Sequence, residues 1–131
     1  MMKKSFSLKI SKKINNFNSI IKVDSDKSIS IRSFLIGAIS EGVSKIKNVL
    51  ESEDVLATIK CLKKLGVKVK KVKPQEYEVY GQGLGAMECK KGSVLDFENS
   101  GTLCRLLTGI LSTTPNIDVI LTGDSSLRKR D

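Results

Sequence analysis

The sequence lacks several of the residues on which common protein sites depend. It contains no histidine and no tryptophan, and phenylalanine and tyrosine together make up only 5% of its 131 residues. Its three cysteines, at positions 61, 89 and 104, are odd in number and lack metal-ligand spacing. These absences argue against a disulfide framework and a structural zinc site, and favour a reduced cytoplasmic environment. With few aromatic rings and 40% apolar residues, we expect a core of Ile, Leu and Val.

Long apolar runs are also missing. No segment approaches the roughly 18 apolar residues that a membrane-spanning helix needs. The start of the chain, from Met1 to Lys13, is basic and contains serine, as transit peptides do, but Phe6, Leu8 and Ile10 alternate with polar residues. This period of two predicts a strand from Phe6 to Ile10.

Positive charge is plentiful, with a formal net charge of +9. A basic chain can bind nucleic acid, an anionic membrane surface or small anionic metabolites. No aromatic residues are interleaved with the lysines as stacking platforms for bases. In residues 68–73, lysines alternate with valines, which is typical of a strand with one solvent-exposed face. Small anionic metabolites are therefore the favoured partners. A basic anion- or RNA-binding module remains the alternative from another class.

Arginine is rare beside nineteen lysines, so the positions of the four arginines are informative. Glycine and small polar residues lie near each of them, at Arg32, Arg105, Arg128 and Arg130. A planar guanidinium is permanently charged and can bind phosphate or carboxylate through two parallel hydrogen bonds. The arginines therefore predict that this chain binds small anions.

Two segments share one pattern of apolar residues, which predicts an internal repeat. A first helical stripe occurs at Ile31, Phe34, Leu35, Ala38 and Ile39, and a second with the same intervals occurs at Leu103, Leu106, Leu107, Ile110 and Leu111. These stripes align when the first is shifted along the sequence onto the second. A shift that is one residue longer superposes Arg32 on Arg105 and Ser28 on Gly101 instead. The two halves of the chain are therefore expected to fold alike.

The remaining segments complete a strand–helix–strand–helix–strand–strand order. A middle helix starts at Ser52 and ends at Gly66, with acidic residues in its first turn and lysines in its last. The predicted strands lie at 20–26, 43–49, 67–72, 76–80, 94–98 and 117–122. The second round of this order stops at Asp131, so we expect the chain to be a truncated portion of a longer protein.

Both helices of the repeat begin with residues suited to an anion. Lys27 and Ser28 lie at the first start, and Arg32 lies one turn further on the same side as Ser28. Exposed backbone N–H groups there can join a hydroxyl, an ammonium and a guanidinium around one anion. Ser28 as a plain N-cap is the simpler alternative. At the second start, Gly101 would let a ligand approach the backbone with no Cβ in the way.

Four blocks of the sequence resemble the family of enolpyruvylshikimate-phosphate synthases (3-phosphoshikimate 1-carboxyvinyltransferases). In chain order, the blocks are residues 26–32, 50–58, 99–107 and 121–130. Their order and spacing are similar to those of the family. They cover nearly all of this chain but only about the first third of the family's usual length.

The resemblance implies an α/β fold built of βαβαββ units, the type called an inside-out α/β barrel. The family has two domains, and its substrates lie in the cleft between them. Residues 1–19 would be the first strand and linker of the first domain. Residues 20–131 would be part of the second domain, with one full unit and the start of another.

The resemblance also implies transfer of the enolpyruvyl group of phosphoenolpyruvate to the 5-hydroxyl of shikimate 3-phosphate, with release of phosphate, in chorismate and aromatic amino acid biosynthesis. By position, Lys27, Ser28 and Arg32 would bind shikimate 3-phosphate, and Lys27, Gly101 and Arg130 would bind phosphoenolpyruvate. The family's proton-transfer residues lie elsewhere, so we expect no catalytic residue here and an inactive isolated chain. No metal or organic cofactor is implied. The parent enzyme is expected to be a cytoplasmic monomer that binds neither nucleic acid nor membrane.

One enzyme of the same class shares this fold, the enolpyruvyl transferase that acts on UDP-N-acetylglucosamine, and it is the alternative. The pattern Lys-Ser-Ile-Ser-x-Arg favours the shikimate enzyme. The sequence also departs from the family at positions where proline, glycine, histidine or asparagine is usual, namely Asp24, Ser25, Ile31, Glu98 and Asp131. Glu98 places negative charge beside an anion site, so we expect it to weaken binding.

Overall fold

The computed structural model describes residues 7–9, 11, 16, 18 and 20–130 of the chain. Within them lie three α-helices, α1 (Lys27–Ile39), α2 (Glu53–Lys64) and α3 (Gly101–Ser112). The same residues form the strands β1 (Glu41–Ile46), β2 (Lys68–Lys73), β3 (Glu76–Gln82), β4 (Ser93–Asp96) and β5 (Val119–Thr122). A short 3-10 helix, Leu127–Lys129, follows β5. From α1 onward, the elements have the order that the sequence predicts.

The strands form two small sheets of different kinds. β1, β3 and β2 lie side by side in that order and are antiparallel, with Val43 opposite Tyr80 and Val69 opposite Val79. β4 and β5 are parallel, with Leu95 opposite Leu121, and α3 lies in the crossover that parallel neighbours require. This mixture of helices and strands agrees with the predicted α/β class.

The strand predicted at residues 20–26 does not form, and this prediction was wrong. The backbone there has no strand, and Ile20, Ile21 and Val23 are between 66% and 97% exposed. A segment that gains neither ladder hydrogen bonds nor apolar burial has nothing to offset the entropy of ordering it. β1, which follows α1, pairs with β3 and not with this segment.

A further prediction concerns the N-terminal residues 1–19. Of the strand expected from Phe6 to Ile10, the two end residues lie outside the described residues, and residues 7–9, which are described, do not form a strand. The division of the chain near residue 20 into parts of two domains therefore stays a prediction.

One apolar core joins the three helices to both sheets. Phe34 of α1, Leu62 of α2, Val79 of β3 and Leu107 of α3 are all fully buried. The ring of Phe34 packs edge-on against the ring of Tyr77, with centroids 5.3 Å apart. The predicted apolar stripes of the helices therefore face a common core, apart from Leu106 of α3, which is 38% exposed, and the few aromatic residues contribute to this core.

The strand predicted at the basic run forms as β2, but only one of its two apolar residues is buried. Val69 is buried and the lysines of this strand are exposed. Val72 is 52% exposed because the pairing register with β3 shifts between Lys71 and Lys73. The lysine-rich segment 68–73 is therefore an edge strand whose lysines face solvent, as its sequence pattern indicates.

The two helix starts of the repeat are less alike than the sequence suggests. Asp26 caps α1 and Ser100 caps α3, so the caps coincide under neither of the two shifts that the sequence offers. Arg32 is the sixth residue after its cap, and Arg105 is the fifth. The superposition of Arg32 on Arg105 therefore does not hold at the helix starts.

The carboxylate of Glu51 links the loop before α2 to the β2–β3 hairpin. It accepts hydrogen bonds from Tyr77 Oη at 2.8 Å, the backbone N–H of Gln75 at 3.1 Å and Lys71 Nζ at 3.0 Å. These donors, Lys71 first and then Tyr77, lower the pKa of Glu51 from 4.5 to about 2. The charged form of Glu51 is therefore favoured by folding.

We expect Glu51→Gln to lower the midpoint of urea unfolding at pH 6. A pKa that is lower in the folded state gives a stabilisation that is complete above about pH 4.5 and is lost as the pH falls toward about 2. The difference between Glu51→Gln and the original chain should therefore shrink over this range. Glu88→Gln, which changes an exposed glutamate, serves as the control. Equal midpoints at pH 6 would contradict the prediction.

Candidate functional site

The first candidate group lies at the start of α1. Asp26 is the N-cap, with extended backbone and a side-chain Oδ1 that accepts from the N–H of Ile29 at 2.7 Å. The alternative that Ser28 is the N-cap is therefore wrong. Ser28 is half-buried in the first turn, and its hydroxyl makes no hydrogen bond with any other described residue. The hydroxyl is thus available to a ligand.

Lys27 reaches across to the first turn of α2. Its Nζ lies 2.7 Å from Oδ2 of Asp54, and the Asp54 side chain is only 16% exposed. The sequence identified Asp54 solely as an acidic residue that complements the helix dipole. It missed the ion pair, because nothing local indicates that the starts of α1 and α2 lie together.

Arg32 lies one turn after Ser28 on the same face of α1. It lines a groove of about 240 Å³ between α1 and α3, together with Leu35, Ile36, Ile39, Leu106 and Ile110. Arg32 is exposed and forms no ion pair with any described residue. Its guanidinium is therefore a free cation at the edge of an otherwise apolar groove.

The second candidate group lies at the start of α3. The hydroxyl of the buried cap Ser100 accepts from the N–H of Leu103 at 3.3 Å, so Gly101 is the first residue of the helix. A Cβ added to Gly101 would lie 3.0 Å from Nη1 of Arg130 and 3.9 Å from Nη1 of Arg105. The structure therefore brings Gly101 together with two guanidinium groups. The space that the absent Cβ leaves open is filled by Arg130.

Arg130 is held by a short chain of hydrogen bonds. Its Nη2 donates to Oδ1 of Asn99 at 2.7 Å, and Nδ2 of Asn99 donates to Oδ2 of Asp124 at 2.6 Å. Oδ1 of Asp124 accepts from the N–H of Leu127 at 2.6 Å. The bond from Asn99, followed by that from Leu127, lowers the pKa of Asp124 below its usual value. Asp124 had no role in the sequence-based prediction, although it lies within one of the motif blocks.

Glu98, which the sequence leads us to expect would weaken anion binding, is paired with a lysine. Its carboxylate accepts from Lys60 Nζ at 2.8 Å, and this hydrogen bond raises the pKa of Lys60. Its backbone φ is +52°, in the left-handed region where glycine is the most easily accommodated residue. Glu98 therefore occupies a position that suits the glycine usual in the family, and Lys60 partly neutralises its charge.

The two groups lie on helices that line a common groove, but no described contact joins them. Arg32 and the α3 residues Leu106 and Ile110 share the groove described above. No hydrogen bond or ion pair among the described residues joins Lys27 to Gly101 or Arg130. A ligand that contacts both groups would have to bridge them.

The described part of the chain lacks the features of a membrane-spanning helix and of a clustered metal site, and its buried cysteine is not activated. None of the helices in the described ranges is both long and apolar enough to cross a membrane. Across residues 7–9, 11, 16, 18 and 20–130, no three His, Cys, Asp or Glu side chains are placed to hold a metal ion. Burial raises the pKa of the Cys61 thiol to about 11, which disfavours the reactive thiolate.

Comparison with known proteins gives one consistent result. Residues 11–130 match the family model described as EPSP synthase (3-phosphoshikimate 1-carboxyvinyltransferase). The 3-phosphoshikimate 1-carboxyvinyltransferase of Magnetococcus marinus is 44% identical over 115 residues, 88% of this chain and 25% of the relative. That of Caldicellulosiruptor bescii is 48% identical over 113 residues, 86% of this chain and 25% of the relative.

Solved structures agree with the sequence relatives. The EPSP synthase from Acinetobacter baumannii superposes with a TM-score of 0.75 and 41% identity, and the match covers 84% of this chain and 24% of that one. This chain spans about a quarter of the length of the relatives that it matches. Because the family model matches nearly the whole of it, the chain belongs to the EPSP synthase family.

Proposed function

We propose that this chain forms part of an enzyme that transfers the enolpyruvyl group of phosphoenolpyruvate to the 5-hydroxyl of shikimate 3-phosphate. The observation that carries the proposal is that α1 and α3, which line one groove together, both carry cations near their starts. Relatives that bear this activity in their names support it. The domain division at residue 20 and a cytoplasmic monomeric enzyme are parts of the same proposal.

Shikimate 3-phosphate would bind at the start of α1. Ser28 offers a hydroxyl without a described partner, and Arg32, one turn on, offers a guanidinium without a described ion pair. Lys27 would add its ammonium, which already faces Asp54. A phosphate can accept from all three groups, and the charge-assisted bonds among them are the stronger ones.

Phosphoenolpyruvate would bind between Lys27 and the start of α3. Arg130 lies over Gly101 at the start of α3. The N–H groups of Gly101 and Leu103 donate to Asn99 and Ser100, so the N–H of Thr102, which has no described partner, is the one open to an anion. A guanidinium beside this N–H group suits a phosphate or a carboxylate. Lys27 would be shared by the two substrates, since the anions must approach each other for reaction.

The reaction joins two polyanions, so charge is the main obstacle to their approach. The 5-hydroxyl gives up its proton as its oxygen adds to C2 of phosphoenolpyruvate and C3 gains a proton. Loss of phosphate from C2 and of a proton from C3 then restores the double bond. Fixed cations lower the repulsion between the substrates and hold the hydroxyl near C2. The proton-transfer groups would come from the part of the enzyme that corresponds to the other three quarters of its relatives.

A chimeric enzyme tests this function. Residues 20–130 would replace the matching segment of the Acinetobacter baumannii EPSP synthase, and released phosphate would be measured. We expect release that requires both phosphoenolpyruvate and shikimate 3-phosphate. UDP-N-acetylglucosamine in place of shikimate 3-phosphate should give none.

The control is the same chimera with both Arg32→Ala and Arg130→Ala, which should fold and release little phosphate. A soluble, folded chimera without activity on the two substrates would contradict the proposed function. Activity on UDP-N-acetylglucosamine would favour the alternative substrate.

A further inference from the structure

We propose that Asp124 is a positioning residue that acts on the anion-binding arginine through Asn99. Asp124 fixes the side-chain amide of Asn99, and Asn99 fixes the guanidinium of Arg130 over the first residue of α3. The identity of the anion as phosphoenolpyruvate rests on the proposed function. The positioning itself rests on the hydrogen bonds alone.

The backbone around Asp124 is held on both sides. Its N–H donates to the carbonyl of Glu98 at 2.8 Å, and its carbonyl accepts from the N–H of Arg128 at 3.0 Å. Its carboxylate caps the short turn at Leu127. Asp124 is therefore anchored to the segment before α3 and to the turn that leads to Arg130.

Asp124 also decides which way the Asn99 amide faces. An ionised carboxylate can only accept hydrogen bonds, so the amino group of Asn99 must face Asp124. The carbonyl oxygen of Asn99 then faces Arg130, whose guanidinium can only donate. If Asn99 turned over, its amino group would face Arg130 and this bond would be lost.

The hydrogen bond uses one N–H of the Arg130 Nη2 group. The remaining N–H donors of the guanidinium stay available for an anion near Gly101. A long side chain held in one rotamer loses less entropy when it binds a ligand than a free one does. Asp124 and Asn99 would therefore favour anion binding by organising Arg130 beforehand.

Charge alone predicts the opposite effect, which makes the proposal testable. Asp124 is negative and lies two hydrogen bonds from Arg130. If it acted only as a charge, its removal would strengthen the binding of an anion. If it positions Arg130, its removal weakens binding although an unfavourable charge has gone.

The experiment uses the 131-residue chain labelled with ¹⁵N at arginine, studied by NMR. The guanidinium signals of Arg130 report whether its side chain is held, with no ligand present. Asp124→Ala and Asn99→Ala should both broaden or average these signals. Asp118→Ala removes an exposed carboxylate whose only described ion pair, with Lys91, is 3.7 Å long, and it should leave the signals unchanged.

The same samples are then titrated with phosphoenolpyruvate in the presence of shikimate 3-phosphate, and with inorganic phosphate. We expect Asp124→Ala and Asn99→Ala to weaken phosphoenolpyruvate binding by about tenfold, as loss of one organised charge-assisted contact predicts. Unchanged or tighter binding, with Arg130 signals like those of the original chain, would overturn the proposal.

Two further outcomes separate this proposal from the proposed function. If phosphoenolpyruvate causes no shift at Gly101 or Arg130 in the original chain, the ligand assignment fails while the guanidinium signals still decide the positioning. If Asp124→Ala does not fold, Asp124→Leu takes its place, because leucine is close in shape and has no acceptor oxygen for Asn99. Arg130 signals that remain ordered in a folded Asp124→Leu variant would overturn the positioning role.

Discussion

Arg32→Ala in the chimeric enzyme should weaken binding of shikimate 3-phosphate by about 10- to 150-fold. This range corresponds to the loss of one hydrogen bond to a charged group, about 1.5–3 kcal/mol. Arg32 forms no ion pair with a described residue, so its removal breaks no ion pair within the free protein. The loss of affinity therefore reports the contact between Arg32 and the ligand. Isothermal titration calorimetry measures the change directly.

The matched control is Lys73→Ala. Lys73 belongs to the exposed strand β2 and forms only a surface ion pair with Glu76, with Nζ and Oε1 3.2 Å apart. Such pairs contribute little to stability, so we expect both stability and shikimate 3-phosphate binding to stay close to those of the unchanged chimera. Equal losses of affinity in the two variants would refute the assignment of Arg32, because they would indicate a general effect of net charge.

Gly101→Ala should weaken phosphoenolpyruvate binding by about tenfold, the effect of displacing one charge-assisted contact. The backbone of Gly101 is not left-handed, so alanine fits the helix without strain. The added methyl would lie 3.0 Å from Nη1 of Arg130, tighter than ordinary contact, and would push the guanidinium out of the position in which Asn99 holds it. The loss is therefore expected in the affinity for phosphoenolpyruvate, with little change in the affinity for shikimate 3-phosphate.

Gly109→Ala in the same helix is the control. Nothing lies within 4 Å of a Cβ added at Gly109, and its φ is not positive. We expect this variant to stabilise the protein by about 0.5–1 kcal/mol through helix propensity, with unchanged ligand affinities. If Gly101→Ala instead lowered the melting temperature and left phosphoenolpyruvate binding unchanged, Gly101 would be a packing glycine.

Features that depend on neighbours along the chain were predicted correctly. The apolar stripes of α1 and α3 and the charged ends of α2 appear where the sequence places them. A helix repeats every 3.6 residues and satisfies its own backbone hydrogen bonds, so its pattern is legible from sequence alone. The prediction of a strand at residues 20–26 was wrong because a strand needs a neighbouring strand to pair with, and apolar composition does not indicate whether one is present.

By itself, the sequence determined the helices, the α/β class and the cationic residues at the starts of α1 and α3. Only the tertiary structure decided how those cations are held. Lys27 meets Asp54, and Arg130 meets Asn99 and through it Asp124. The members of each pair lie far apart in the sequence, and a polar side chain has many possible partners at such a separation. Which partner it meets depends on how helices and strands pack around the core, and that packing is a property of the whole fold.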